Sequence, residues 1–360
     1  MHRWYNKNLK LILDITTYCN AKCPQCSRTN SVDGGLEKEK YVPLVHWSLP
    51  EIQLAYPKEE LKNVNYVIFS PTWGDPMMNP NVYEIMDHFL DALPNYACLQ
   101  INTNGSMRDE DFWWRFGALA IKYPKKTFQV SFDIDGIDQE MHAKYRRNTN
   151  LQKVLDNMLA FSDNGVSSTV SKTILFKHNQ NYMEEIKTLV KKYGSRSHQF
   201  VKSDRFKLDE NETFKPFKFL NENGEKEILE WADKPLENAY LAHYKNNQDI
   251  QEEIVCKWAL DNILNINFDG QVWPCCYFGS LDYSTISKKF NDMGVIKEYN
   301  LQRLDSNVKF TPLTKIIENE WFTSKLQQSI KNNPLEVCTK HCSTKIRSFD
   351  KQQIITREKL

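Results

Sequence analysis

The chain has 360 residues and a net formal charge of +1, which allows one large domain plus a smaller one and gives no bulk basic charge for holding nucleic acid. No apolar run approaches a membrane span, and the opening Met-His-Arg-Trp-Tyr-Asn-Lys-Asn lacks a signal-peptide core, so a cytoplasmic protein that binds neither membrane nor nucleic acid is expected. Nine cysteines in that compartment point to metal or redox work rather than disulfides, and the Asn-, Lys- and Trp-rich skew fits an AT-rich genome such as a phage's or a marine bacterium's.

The first element is an apolar strand at 9–15. Directly after it come Cys19, Cys23 and Cys26, spaced Cys-x3-Cys-x2-Cys. Three thiolates on one short loop can hold three corners of a four-iron cluster and leave the fourth iron without a protein ligand. A Cys-x2-Cys pair also occurs in zinc sites, but zinc needs a fourth ligand nearby, and His46, the next candidate, has no zinc-like spacing. A connection at 28–63, rich in Lys, Glu, Pro and Gly, holds a short helix at 50–55. Strands follow at 65–70, 97–102, 127–134, 168–176 and 198–202, alternating with amphipathic helices at 80–92, 108–122, 149–163 and 181–193. The helix at 149–163 sets Leu151, Val154, Leu155, Met158, Leu159 and Phe161 on its core face, and 181–193 does so with Tyr182, Ile186, Leu189 and Val190. Strand then helix, repeated, implies a parallel sheet with right-handed crossovers. Six such units make an open, partial (β/α)6 TIM-like barrel with its chemistry at the C-terminal ends of the strands.

Polar groups just past those strands are the site candidates. The second strand runs into Trp73-Gly74-Asp75-Pro76. The third runs into Thr103-Asn104-Gly105, which also suits a helix N-cap before Asp109 and Asp111. The fourth places Ser131, Asp133 and Asp135 on one face, where buried polar groups need partners. Arg146 and Arg147 follow, with Arg147 expected in solvent. His178 and Ser203 lie past the fifth and sixth strands, and for His178 a structural role is as easily argued as a site role.

The rhythm stops at 207–250, which reads as a bridge or a substrate-facing insertion. Cys256 then precedes a hairpin with an Asp269-Gly270 turn that ends at Cys275-Cys276, and Cys338-x3-Cys342 closes the pattern. A structural zinc knot could use the same four cysteines. Cys98, within a strand, reads as a small buried apolar group.

The Cys-x3-Cys-x2-Cys loop after a first strand resembles the signature loop of the radical S-adenosylmethionine (SAM) enzymes, and the Cys…Gly-x4-Cys hairpin resembles their SPASM/Twitch extension. The resemblance covers about 9–206 and 256–342. It implies a [4Fe-4S] cluster on Cys19, Cys23 and Cys26 whose open iron binds the amino and carboxylate groups of SAM. Gly74, Asp75 and Pro76 stand where the family has Gly-Gly-Glu-Pro, the turn holding the SAM amino group, with Asp75 replacing the usual Glu. Thr103 and Asn104 match a cofactor-side turn. Ser131, Asp133 and Asp135 would meet the ribose and amino acid, with Asp133 at a position usually held by Ser. Arg146 would grip the SAM carboxylate bidentately, and His178 and Ser203 would line the same site.

The same resemblance implies that Cys256, Cys275, Cys338 and Cys342 complete one auxiliary [4Fe-4S] cluster of the shorter Twitch form, leaving Cys276 spare. That cluster would pin the chain's C-terminal end to a module with a thin core. The expected division is a barrel at 1–206, a bridge at 207–250, a small Twitch domain with a β-hairpin and helix at 251–345 and a tail at 346–360. The implied activity is reductive cleavage of SAM to a 5′-deoxyadenosyl radical that takes hydrogen from a polar small molecule or a peptide or protein side chain. The auxiliary cluster would assist the oxidation, and a flavodoxin or ferredoxin would donate the electron. The few residues ahead of the first strand argue against leader-guided peptide modification. The rival reading is a non-catalytic zinc or iron–sulfur binding module.

Overall fold

The computed structural model describes residue 5, residues 8–203, 205–211, 213–234 and 254–343, and the backbone of 355–359. Within the expected bridge, residues 212 and 235–250 lie outside the described residues, as do 344–354 and 360 toward the C-terminus.

The centre is a run of parallel strands: β1 (Leu9–Leu13), β2 (Val64–Phe69), β3 (Cys98–Thr103), β4 (Thr127–Asp133), β5 (Ser168–Leu175) and β6 (Ser197–Lys202). Helices cross between them: α1 (Leu49–Ala55) on the long first connection, then α2 (Val82–Ala92), α3 (Glu110–Lys122), α4 (Leu151–Ser162) and α5 (Met183–Lys192). Each expected strand and helix forms. Asp109 caps α3 through the Phe112 N–H, and Asn150 caps α4 through the Lys153 N–H. Helix α2 buries Val82, Ile85, Met86, Phe89 and Leu90, the stripe of a helix laid on a sheet. Two expected core positions face outward instead. Leu159 is 43% exposed, because it lies beyond the buried arc of α4, and Tyr182 is 39% exposed, because α5 begins one residue later.

The sheet extends past the barrel at both edges. β9 (Ile263–Ile266) pairs parallel with β1, Lys10 opposite Ile263 and Leu13 opposite Ile266, and β10 (Val272–Trp273) returns antiparallel. The C-terminal hairpin is therefore part of the barrel's own sheet. At the other edge β11 (Ile355–Lys359) lies antiparallel on β6. A separate two-stranded ribbon, β7 (Phe217–Leu220) and β8 (Lys226–Leu229), belongs to the bridge.

The C-terminal module is not thinly packed, contrary to the expectation. Trp273, Phe278, Phe290, Tyr299, Trp321 and Phe322 are buried in the main core, with Trp273 stacked on Tyr299 at 4.4 Å. Buried aromatics of this size contribute most of a small domain's apolar burial. Among the described residues no helix is long and apolar enough to cross a membrane.

Candidate functional site

The three N-terminal cysteines sit on a tight loop beyond the C-terminal end of β1. Cys26 N–H donates to Cys23 O at 3.1 Å, Thr29 N–H to Cys26 O at 2.9 Å and Lys22 N–H to Arg147 O at 3.0 Å. Cys23 is buried and Cys19 and Cys26 half-buried. Burial pushes the Cys23 thiol up to about 12, against the pull of Arg146, and raises Cys19 as well, helped by Asp75. Thiols raised by burial in this way are protonated at neutral pH unless a cation binds them.

The turn after β2 is locked onto this loop. Asp75 N–H donates to Tyr18 O at 2.8 Å. A Cβ on Gly74 would lie 2.4 Å from Thr16 O and 2.7 Å from Thr17 Cα, so only glycine allows the approach. The Asp75 carboxylate, 1% exposed, accepts from Thr103 Oγ1 at 2.8 Å, Asn104 N–H at 2.8 Å, Asn104 Nδ2 at 2.7 Å and Met77 N–H at 3.0 Å. Burial raises its pKa to about 6 against these donors. Asn104 Nδ2 also reaches Asn20 Oδ1 at 3.0 Å and Cys19 Sγ at 3.9 Å. Pro76 opens a short 3-10 turn behind Asp75.

At the end of β4, Asp133 and Asp135 meet Arg146. Nη1 lies 3.1 Å from Asp133 Oδ2, Nε donates to Asp135 Oδ2 at 2.6 Å, and Nη1 is 4.0 Å from Cys23 Sγ. Burial opposes the charge on Arg146, but Asp133 and Asp135 outweigh it and push its pKa up. Asp135 also accepts from Ile174 N–H at 2.6 Å, and Lys172 Nζ sits 3.0 Å from Asp133 Oδ1. Ser131 is buried on the same strand. Ser203 donates to Gln25 Oε1 at 2.8 Å and so reaches the cysteine loop. His178 stacks on Phe176 at 5.5 Å, and burial lowers its pKa to about 4; its Nε2 is buried without a hydrogen-bond partner.

Arg147 is not solvated as expected. It pairs with Glu222 at 3.1 Å and with Glu227, and lies over the Phe219 ring. The ribbon β7–β8 supplies those partners and packs Phe219 and Leu229 beside Tyr145, Phe176, Phe206 and Cys23. This part of the bridge thus covers the cysteine loop.

Sequence reasoning missed two features. Asp14, at the end of β1, is buried and accepts the Thr72 and Trp73 N–H groups at 3.1 and 3.2 Å, and burial raises its pKa to about 8. A polar row also crosses β2 to β5: Tyr66 OH donates to Gln100, Gln129 Nε2 to Gln100 Oε1 at 2.8 Å and Ser168 Oγ to Gln129 Oε1 at 3.4 Å. Alternation of these residues with buried apolar neighbours was the available signal.

The second site is different in kind. Cys256, Cys275, Cys338 and Cys342 line one partly open pocket whose other walls include Trp258, Phe278, Leu326 and Ile330. Cys276 is not part of that lining. Burial pushes Cys256 up to about 11 and Cys338 to about 12. Among the described residues no group of three or more His, Cys, Asp or Glu side chains is spaced to hold a single ion. The four thiols line one pocket, and their number matches the four protein ligands of an iron–sulfur cluster.

Residues 13–191 match the profile of the Radical SAM superfamily, and residues 256–343 match that of SPASM, an iron-sulfur cluster-binding domain. The second match opens on Cys256 and encloses Cys275, Cys338 and Cys342. No curated protein matches the chain. Among solved structures it is similar to anSMEcpe with bound AdoMet, with TM-score 0.50, 14% identity, and 89% of this chain and 80% of that chain covered. It is also similar to Streptococcus suis SuiB bound to precursor peptide SuiA, with TM-score 0.55, 10% identity, and 92% of this chain and 68% of that chain covered. At such identities the likeness is one of fold.

Proposed function

The chain belongs to the radical SAM superfamily, with a SPASM-type iron–sulfur domain after its barrel, and we propose that Cys19, Cys23 and Cys26 are the ligands of its SAM-binding cluster. It is a radical SAM enzyme. A [4Fe-4S] cluster with bound SAM supplies a 5′-deoxyadenosyl radical that abstracts hydrogen from substrate. The observation that carries the assignment is the convergence of Asp75, Asn104, Asp135 and Arg146, from three different strand ends, on the one loop that bears these thiols.

In this reading Gly74 and Pro76 shape the turn that receives the SAM amino group. Asp75, one methylene shorter than Glu, holds that turn to Thr103 and Asn104 rather than reaching outward. Arg146 and Lys172 offer cations to the SAM carboxylate, Asp133 and Asp135 set their positions, and Ser131, buried on the same strand, would meet the ribose and amino acid. Ser203 and His178 bound the site on the β5–β6 side, and the ribbon β7–β8 excludes water from the cysteine loop.

The auxiliary site is a single fully ligated [4Fe-4S] cluster of Twitch type on Cys256, Cys275, Cys338 and Cys342, with Cys276 left over. A cluster held there would supply an acceptor for an electron from the substrate radical. The working division keeps the barrel at 1–206, the bridge at 207–250, the auxiliary module at 251–345 and the tail at 346–360. The substrate is polar, a small molecule or a peptide or protein side chain, in keeping with the charged groups Asp133, Arg146 and Lys172 gathered at the strand ends. Such an enzyme needs a reductant, and a flavodoxin or ferredoxin would serve. Anaerobic purification, metal analysis and dithionite reduction with SAM test this. About eight irons per chain and release of 5′-deoxyadenosine are expected. One or two zincs and no cleavage would favour the non-catalytic metal-binding reading.

A further inference from the structure

We infer that Asn104 and Arg146 tune the reduction potential of the first cysteine site, each by donating N–H to one ligand sulfur. The inference rests on the assignment of Cys19, Cys23 and Cys26 as iron ligands and goes beyond any contact with SAM.

Two observations carry it. Arg146 Nη1 lies 4.0 Å from Cys23 Sγ, within reach of a long N–H···S bond, and Asn104 Nδ2 lies 3.9 Å from Cys19 Sγ, which it meets as a shared contact because its two N–H bonds also serve Asp75 Oδ2 at 2.7 Å and Asn20 Oδ1 at 3.0 Å. Each donor is also held in place by buried carboxylate. Asp75 Oδ2 sits 2.7 Å from Asn104 Nδ2, and Asp133 and Asp135 sit 3.1 and 2.6 Å from Arg146 nitrogens. Arg146 cannot turn away without giving up its bonds to two buried carboxylates, whereas Asp75 would keep Thr103 Oγ1, Asn104 N–H and Met77 N–H and so holds the Asn104 amide less tightly. Asp75, Asp133 and Asp135 therefore act as positioning residues for two donors.

Reduction adds negative charge to the cluster and its sulfurs. An N–H dipole and a guanidinium beside those sulfurs stabilise the added electron, and the low local dielectric strengthens the effect. The potential of the SAM-free protein should therefore depend on Asn104 and Arg146. A residue that only clamped the SAM carboxylate would not alter it.

The test is an EPR-monitored redox titration of the anaerobically purified full chain without SAM, followed at the signal that Cys19→Ala abolishes. Arg146→Gln and Asn104→Ala should keep their iron and titrate at more negative potentials. Each should show at least a tenfold loss in the reduction equilibrium, equivalent to ~59 mV for one electron. Arg146→Lys, which keeps the charge, should recover part of the shift. Unchanged potentials with iron retained overturn the inference, and a fall in SAM affinity alone then leaves Arg146 as a carboxylate clamp. If Arg146→Gln sheds iron, Asn104→Ala decides the matter by the same criterion. A wild-type chain with no iron signal overturns the ligand assignment itself and the tuning with it.

Discussion

Around Cys19, Cys23 and Cys26 the neighbouring strand ends bring Asp75, Asn104, Asp133, Asp135, Arg146 and Lys172. Around Cys256, Cys275, Cys338 and Cys342 the walls include Trp258, Phe278, Leu326 and Ile330. Burial raises the thiols in both places, yet among the described residues only the first site has a buried guanidinium and a side-chain amide set beside its sulfurs, while the second has Lys257 near Cys256 and Cys342. A polar surround suits an iron site that must also take up a zwitterionic small molecule. An apolar box with four thiols suits a closed cluster whose ligands are all protein. On the proposed reading, SAM binding falls to the first site and electron transfer to the second.

The strongest way to break this contrast is to remove the first site. Replacing Cys19, Cys23 and Cys26 together by Ala should abolish SAM cleavage and remove one cluster's iron, about half the total, while the second site keeps its own. Unchanged iron in the triple variant would refute the assignment.

The second site should respond more locally. The helix Glu336–Cys342 buries none of its residues and is held by His341 stacked on Tyr277 at 3.9 Å, by Val255 N–H donating to Cys342 O at 2.9 Å and by Val337 and Cys338 against the core, so losing a shared metal should loosen it locally. Cys275→Ala or Cys342→Ala should lower iron and open residues 335–343 to limited proteolysis, while SAM binding survives and the aromatic core around Trp273 and Trp321 stays folded. Cys276→Ala should do neither. Iron lost from Cys276→Ala but kept in Cys275→Ala would reverse the ligand set.

Much of this was legible in the sequence because it is local. Strand–helix alternation gave every barrel element, and both cysteine patterns announce their sites by spacing. What escaped depends on distant pairing. That β9 would join β1 as a parallel neighbour cannot be read from either strand, since periodicity reports faces and not partners. Arg147 looked solvated because Glu222 and Glu227, its partners, come from a ribbon with no clean period. Asp14 closes an apolar strand and reads as an ordinary turn residue until the 72–73 backbone folds over it. Asp133 and Asp135 stood out as buried polar groups in need of partners, but that need did not reveal Arg146 as the partner they share.

Gly74 offers a smaller, sharper cut. Gly74→Ala would drive a methyl into the Thr16 and Thr17 backbone, which cannot move aside as a side chain could. A loss of about 1–3 kcal/mol in stability is expected, with the β2 turn pushed off the cysteine loop. SAM affinity should fall severalfold while iron at the apolar site is unaffected. Wild-type SAM affinity in this variant would show that the turn and the loop are not one unit.

The gentlest prediction concerns Asp14, which stands on the strand that both regions share: its N–H donates to Ile266 O at 3.1 Å, and its carboxyl holds the Thr72–Trp73 backbone. Burial raises its pKa from 3.8 to about 8. The unfolded chain would ionise this carboxyl above about pH 4, whereas the folded chain keeps its proton until about pH 8. Across that window the folded state binds more protons, so stability falls as pH rises, by at most ~1.4 kcal/mol per unit from this group. Asp14→Asn keeps an acceptor for the two N–H groups and cannot titrate. Its denaturation midpoint should therefore come closest to the wild type near pH 4 and exceed it increasingly toward pH 8, when both are measured anaerobically with iron bound. Equal slopes in the two proteins would mean that Asp14 is already ionised in the fold. The junction between the two sites would then hold a buried negative charge that the surrounding N–H groups stabilise.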